Sequence, residues 1–519
     1  MLLRACLAAL LCGVLGCKDD PPPPPPPVAD AELPIPLPRT VADDPTHVVI
    51  HHARQLSMVD LAQVRTLDLA MSSSDQLGHL DEIDPESACT ELDLVTLARK
   101  TPALTRLRIS GCQGAVHAGL GDFGATLTTL ELADMTLDGV TVGNLSRLTR
   151  LRSLTLVRVE AGPDPLDPLR TMPLEHLVLR DLSRDSELAQ MLDLWPRTLT
   201  HVELSGDWAG HQAMLTLARA QSVQVLELRN TRVGNFSLNQ IKPLVKLRDV
   251  TFEGGTFNDN SPLYFRDLPV ERFSCTCRRL GDVGLRSLRH SEGIVHLELR
   301  ETAVTGPGLE PITKLAHLET LILLDRDLET VGFGHLAMLS KLQHLELSGP
   351  LEDPALEGLG TLTTLQTLRL GYPTLDDSVA PQLLPLTQLR RLDLGGTRVT
   401  DEGLAALAGL TELRALHLHH TRVTNRGLGH LTGLQHLEEL TLHSTDVVDE
   451  GVVHLAKLQQ LRSLRLDRTL ITDTAIDTLL LLRSLQRLNL ADTVVTAAGV
   501  DRLRALPELE VLELSGIRG

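Results

Sequence analysis

The chain has 519 residues, with 110 leucines but only 7 Phe, 2 Tyr and 2 Trp. A few large compact domains would bury more aromatic area, so one small leucine-based unit repeated many times is the expected plan. Lys and Arg number 49 against 67 Asp and Glu, a net charge of −18, which disfavours DNA or RNA as the main partner because a phosphate backbone calls for a basic surface. The 42% hydrophobic content and mean hydropathy of +0.03 exclude a disordered chain.

Arg4 gives the N-terminus a positive charge, and Ala5 to Gly16 form an apolar run. The run is too short to span a bilayer and has the length of a signal peptide. It ends at Val14-Leu15-Gly16-Cys17, followed by Lys18-Asp19-Asp20. This resembles the bacterial lipobox, Leu-Ala/Ser-Gly/Ala-Cys. The resemblance implies that Cys17 becomes the lipidated first residue of the mature protein, attached to a lipid bilayer. Lys at position 18, where inner-membrane lipoproteins carry Asp, implies the outer membrane or cell surface. Pro21 to Pro27 are consecutive prolines, joined by Pro34, Pro36 and Pro38. Such a run favours polyproline II, whose rise of about 3.1 Å per residue gives a spacer of roughly 80 Å.

The body is a register of leucines. Leu392, Leu416, Leu440, Leu464, Leu488 and Leu512 recur in one frame, each inside L-x-x-L-x-L. Further columns keep step: Thr397, Thr421, Thr445, Thr469 and Thr493; then Val399, Val423, Val447, Ile471 and Val495; then Gly403, Gly427, Gly451 and Gly499, with Ala475 standing in once. The frame continues backwards through Phe273 and Leu107 to Leu67, giving nineteen repeats. The two leucines of L-x-L point to one face of a short strand. The Thr column can bond backbone where the chain turns. Thr400-Asp401 and Thr472-Asp473 have the chemistry of helix caps, and apolar residues at three-residue spacing then predict a short helical segment facing the core.

These repeats resemble the leucine-rich repeats of the ribonuclease-inhibitor-like class and of eukaryotic F-box proteins, although Thr replaces the usual Asn or Cys and the period is shorter than about 28 residues. The resemblance implies an α/β solenoid, a horseshoe with a parallel inner β-sheet and short outer helices, whose core is continuous across repeats. The organisation expected is a signal peptide at 1–16, the lipidated Cys17 and Pro-rich linker at 17–45, an N-terminal cap, first repeat and insertion at 46–100, and the solenoid at 101–519. Cys89 and Cys112 are candidates for a disulfide stapling the cap in an exported protein. Cys275 falls at an inward strand position, and Cys275-Thr-Cys277 is not a C-x-x-C redox or zinc pair.

No phosphate loop, nucleophile elbow, zinc or calcium motif is present in the sequence, so no catalytic residue, metal or cofactor is expected. Candidate contacts lie on the inner face instead. His417 and His419 stand two apart on one strand, and His443 lies one repeat beyond His419, a cluster that by its chemistry suits a polar contact surface, pH sensing or a transition metal, the polar surface being the reading adopted. His201-x-Glu203, His296-x-Glu298 and His344-x-Glu346 repeat one pairing. Arg369, Arg391, Asp393, Glu439, Arg465, Asp467, Arg487 and Asn489 complete a face of mixed sign, suited to recognising a protein. Eight of the aromatic residues fall between Trp195 and Phe273. Trp195, Phe252, Phe257, Phe265 and Phe273 occupy core columns, whereas Trp208, Phe236, Tyr264 and Tyr372 do not; exposed aromatics make good interface anchors, with Trp208 first among them. The expectation is a non-catalytic, envelope-anchored scaffold for protein–protein recognition through the concave face, with cell-wall or carbohydrate binding as the alternative.

Overall fold

The computed structural model describes residues 39–41, 44–50, 60–70, 94–111, 119–137, 139–161, 171–183, 195–324, 333–349, 356 and 358–516. One repeat shows how the sequence makes the unit. In the strand Arg391–Asp393 the middle residue, Leu392, turns inward, and Leu389 and Leu394 flank it; all three are buried. The chain reverses at Gly395 and Gly396, where Gly396 takes φ +74°, a conformation open to glycine without a Cβ penalty. Thr397 locks the turn by donating its hydroxyl to the Leu394 carbonyl at 2.7 Å. Thr421, Thr445, Thr469 and Thr493 repeat that bond at 2.6–2.7 Å. The Thr column therefore satisfies its own repeat's backbone, as its chemistry predicts.

Thr400 then caps the helix Asp401–Leu407 by accepting from the Glu402 N–H at 3.3 Å. Asp401 acts differently from the cap expected of it. Its carboxylate accepts from the next repeat, from Thr424 N at 2.8 Å and Thr424 Oγ1 at 2.6 Å. Asp377 binds Thr400, Asp449 binds Thr472 and Asp473 binds Thr496 in the same way. These carboxylates lie where a side chain would project from Gly403, Gly427 and Gly499. The glycine column thus leaves room for the latch between repeats.

Among the described residues the strands form one sheet of 21. β1 (Arg39–Val41) pairs antiparallel with β2 (Asp44–Ile50). The sheet therefore includes part of the segment assigned to the linker, because Arg39 and Thr40 pair with Val49 and Val48. From β2 through β3 (Thr66–Ala70) to β21 (Val511–Glu513) each strand lies parallel to the next in sequence. The nineteen frames read from the sequence are β3 to β21, with their central apolar residues in register. The edge of the ladder is shared: the Arg390 carbonyl accepts from Arg414 N at 2.8 Å and from Ala415 N at 3.0 Å, and the same fork recurs at Arg414, Glu438, Arg462 and Gln486.

Leucine supplies most of the core, with Val and Ile recurring along it, and aromatic residues gather in the middle. Phe252, Phe257, Phe265 and Phe273 form a cluster with centroids 4.0–6.4 Å apart. Trp195 lies buried nearby, its indole donating to Thr216 Oγ1 at 3.0 Å. These core assignments agree with their columns. Cys275 is buried at its inward position, but the sequence reading left it unpaired; a disulfide joins it to Cys277. Cys89 and Cys112 lie outside the described residues. At the far end Leu509, Leu512 and Leu514 are only partly buried, having one repeat beside them rather than two. A helical segment needs more lateral room than the roughly 4.8 Å of a strand step, so the stack curves with the sheet inside.

Candidate recognition surface

The inner face is built from the residues that alternate with the inward leucines, and its two halves differ. In the middle repeats the charges are consumed by one another. Arg180 makes a bidentate pair with Glu203 at 2.6 and 2.8 Å, which compensates a carboxylate only 5% exposed. Arg229 bonds Glu227 at 2.6 Å and also reaches Glu253. His201 pairs with Glu227 on the next strand at 3.3 Å, rather than with Glu203 on its own. The hydrogen bond with His201, reinforced by Arg229, holds the Glu227 carboxyl down at about 2 against the opposing effect of its burial. His296 does face Glu298 of its own strand, at 3.7 Å, and Glu298 also binds Arg300 and the Ser274 hydroxyl.

The C-terminal half holds the candidate residues. His417 ends the strand Ala415–His417, with Nδ1 3.2 Å from Thr441 Oγ1. His419 lies in the turn just beyond that strand. Its ring stacks on His443 with centroids 4.7 Å apart and planes within 7°. It lies over Gly395, where any Cβ would run into the imidazole. His420, held at φ +52°, meets the pair edge-on at 5.9 and 5.4 Å. Burial lowers the pKa of His419 and takes His443 down to about 4. The buried Nδ1 of His443 has no hydrogen-bond partner. A parallel stack does not aim ring nitrogens at one point, and among the described residues no three His, Cys, Asp or Glu side chains are placed to hold a metal ion.

Around the histidines the remaining candidates divide by partnership. Arg465 forks onto Asp467 at 3.1 and 3.3 Å, and Asp467 is buried. Asp393 accepts from Gly395 N at 2.9 Å and meets Arg369 at 3.2 Å. Arg391 is exposed with no side-chain partner among the described residues. It borders a hollow shared with His344, His417, Thr367 and Ile322.

Two aromatic assignments are corrected. Trp208 is buried, 8% exposed, because the turn at Gly206 (φ +100°) folds its indole back to donate to the Ser205 carbonyl at 2.6 Å. It offers no anchor to a partner. Tyr372 is wholly buried, and desolvation drives its phenol pKa upward. Tyr264 is partly buried against the core. Phe236 is exposed as read, but it sits on the helix Asn235–Leu238, its ring tilted against His211 at 4.7 Å, away from the sheet face. Cys17 lies outside the described residues, among which no helix is long and apolar enough to cross a membrane.

Comparison with known proteins bears on the fold. A model of the leucine-rich repeat family matches residues 386–408. The TLR13–ssRNA13 complex superposes with a TM-score of 0.56 at 15% identity, covering 92% of this chain and 78% of that one. A leucine-rich-repeat protein of Leptospira interrogans is 17% identical over 89% of this chain and 99% of its own, with a TM-score of 0.41. The internalin InlF of Listeria monocytogenes is 18% identical over 76% and 88%, with a TM-score of 0.34. No curated protein sequence matches the chain. With the strand–turn–helix unit stacked in register from Leu67 to Leu512 and the unit at 386–408 matched by the family's own model, the chain has the fold of a leucine-rich-repeat solenoid.

Proposed function

We propose that the protein is a non-catalytic scaffold that recognises another protein through the C-terminal part of its concave face, and that Cys17 anchors it in the cell envelope. One observation carries the recognition reading. The middle of the face spends its charges on internal pairs, whereas the face from Arg391 onward presents unpartnered charges and a stacked imidazole pair on a fixed sheet. Polar groups held rigidly lose little entropy on contact, which favours a folded or extended protein partner. Single-stranded RNA, named in the TLR13 complex, is disfavoured here by the net charge of −18. Carbohydrate binding is a weaker reading, since the exposed aromatic found, Phe236, lies on the helical side.

The test is a crosslinking pull-down from native envelopes, using the protein and a variant with His417, His419 and His443 all changed to Ala. A specific protein captured by the first and lost with the second is the expected result. Capture that is identical for both would remove the histidine face from the reading; capture of no protein would favour the glycan alternative.

A further inference from the structure

One row of side chains on the sheet face remains electrostatically unspent. It consists of the residues that precede the central leucine of successive strands. From the strand Arg391–Asp393 to the strand Arg487–Asn489 it reads Arg391, Ala415, Glu439, Ser463, Arg487, each in direct register with the next. The parallel row two residues along holds charges that are already matched: Arg369 lies between Glu346 at 3.1 Å and Asp393 at 3.2 Å, and Arg465 is tied to Asp467 at 3.1 Å. Arg391, Glu439 and Arg487 have no such partners among the described residues. Their signs alternate, and the members between them, the buried Ala415 and the half-buried Ser463, are small and uncharged.

The spacing has a counterpart in polypeptide geometry. Strands about 4.8 Å apart place alternate members of the row about 10 Å apart. A polyproline II segment completes a turn every three residues and rises about 3.1 Å per residue, so its side chains three apart recur on one face about 9.3 Å apart. We infer that this row reads a peptide segment in the polyproline II conformation lying across the strands, with acidic, basic and acidic side chains at three-residue intervals opposite Arg391, Glu439 and Arg487. The inference rests on the protein-recognition reading and gives it a partner chemistry. Charge placement of this kind sets register and rejects wrong sequences more than it adds raw affinity. The unlike sign of Glu439 argues against a uniformly acidic polymer, which would meet repulsion at the centre of the row.

The experiment is selection of a display library of short random linear peptides on the full chain and on a triple variant, Arg391→Glu with Glu439→Lys and Arg487→Glu. The three side chains line the solvent side of the sheet, and an unchanged thermal midpoint confirms that the variant folds. The wild type should enrich Asp/Glu-x-x-Lys/Arg-x-x-Asp/Glu, and the variant the sign-inverted pattern. The selected peptide, synthesised, should bind the wild type about tenfold tighter than its inverse, a preference that weakens with added salt. No enrichment, or a consensus that the triple reversal leaves unchanged, overturns the inference. If the envelope partner still crosslinks to the triple variant with undiminished yield, this row is not its reader, while recognition by the histidine face survives.

Discussion

At the scale of single residues, His443 couples the face to pH. Burial sets its pKa near 4, against an ordinary value of 6.5, with Arg465, His419 and His420 pushing the same way and Asp467 opposing. The unfolded chain therefore binds this proton more readily than the folded one between those values. The stability that neutral His443 confers is fully present above about pH 6.5 and is lost as pH falls through that range towards 4. His443→Phe keeps a flat ring against His419 and removes the titration. Denaturant melts at pH 7, 5.5 and 4.5 should show the wild type losing more stability on acidification than the variant, and parallel losses would refute the coupling. Glu227, held near 2, acts in a separate window, below its ordinary 4.5. The contact of His419 with His443 was legible because positions one repeat apart in one column must be neighbours, whereas the expected sharing of one strand by His417 and His419 was not met, His419 lying in the turn beyond it. Trp208 and Tyr372 were not legible. Their columns said non-core, but a left-handed turn at Gly206 folded one indole inward, and a fully enclosed site took the phenol. A turn's handedness is a backbone property that column position does not report.

The repeat is the next scale, and its joints are carboxylates. Asp401 bridges to both the N–H and the hydroxyl of Thr424, whereas the following joint is poorer: Asn425 meets Val448 through the backbone N–H alone, at 2.8 Å. Asp401→Ala leaves the Thr424 donors without their acceptor and should cost about 1–3 kcal/mol. Asn425→Asp combined with Val448→Thr rebuilds the two-bond joint and should move the melting midpoint upward. Thermal melts of both variants check the pair of signs, and an Asp401→Ala protein as stable as the wild type would show the joint to be idle. The columns of Thr, Asp and Gly were visible in the sequence. Their wiring was less so, because Thr and Asp side chains can cap their own helix or reach a neighbour equally well by chemistry. Which they do depends on how closely the next repeat stacks, and the bare glycine beside Asp377, Asp401 and Asp473 is the trace of that closeness, Asp449 making the same joint beside Ala475.

For the whole molecule the question is how a rigid stack with a selective face is brought to its partner. Each repeat contacts its neighbours in the stack, so the face is stiff along its length. A stiff face held flat against a membrane would have its strands occluded. On the proposal made above, the lipid on Cys17 and the proline run Pro21–Pro27 would address this together, one fixing the chain to the surface and the other holding the sheet away from it. Each buried methylene contributes about 0.8 kcal/mol, so a single acyl chain binds reversibly and two or more hold the protein stably. In cells, fractionation should place the wild type with membranes and Cys17→Ala in the soluble fraction. Equal distribution of the two would remove the anchor while leaving the recognition face intact. Replacing Pro21–Pro27 by a Gly-Ser stretch of equal length keeps the lipid but collapses the reach, since a flexible chain's span grows only as the square root of its length. That variant should remain in the membrane fraction yet crosslink less of any partner displayed at a distance. Undiminished capture would mean that the prolines tether the body without spacing it.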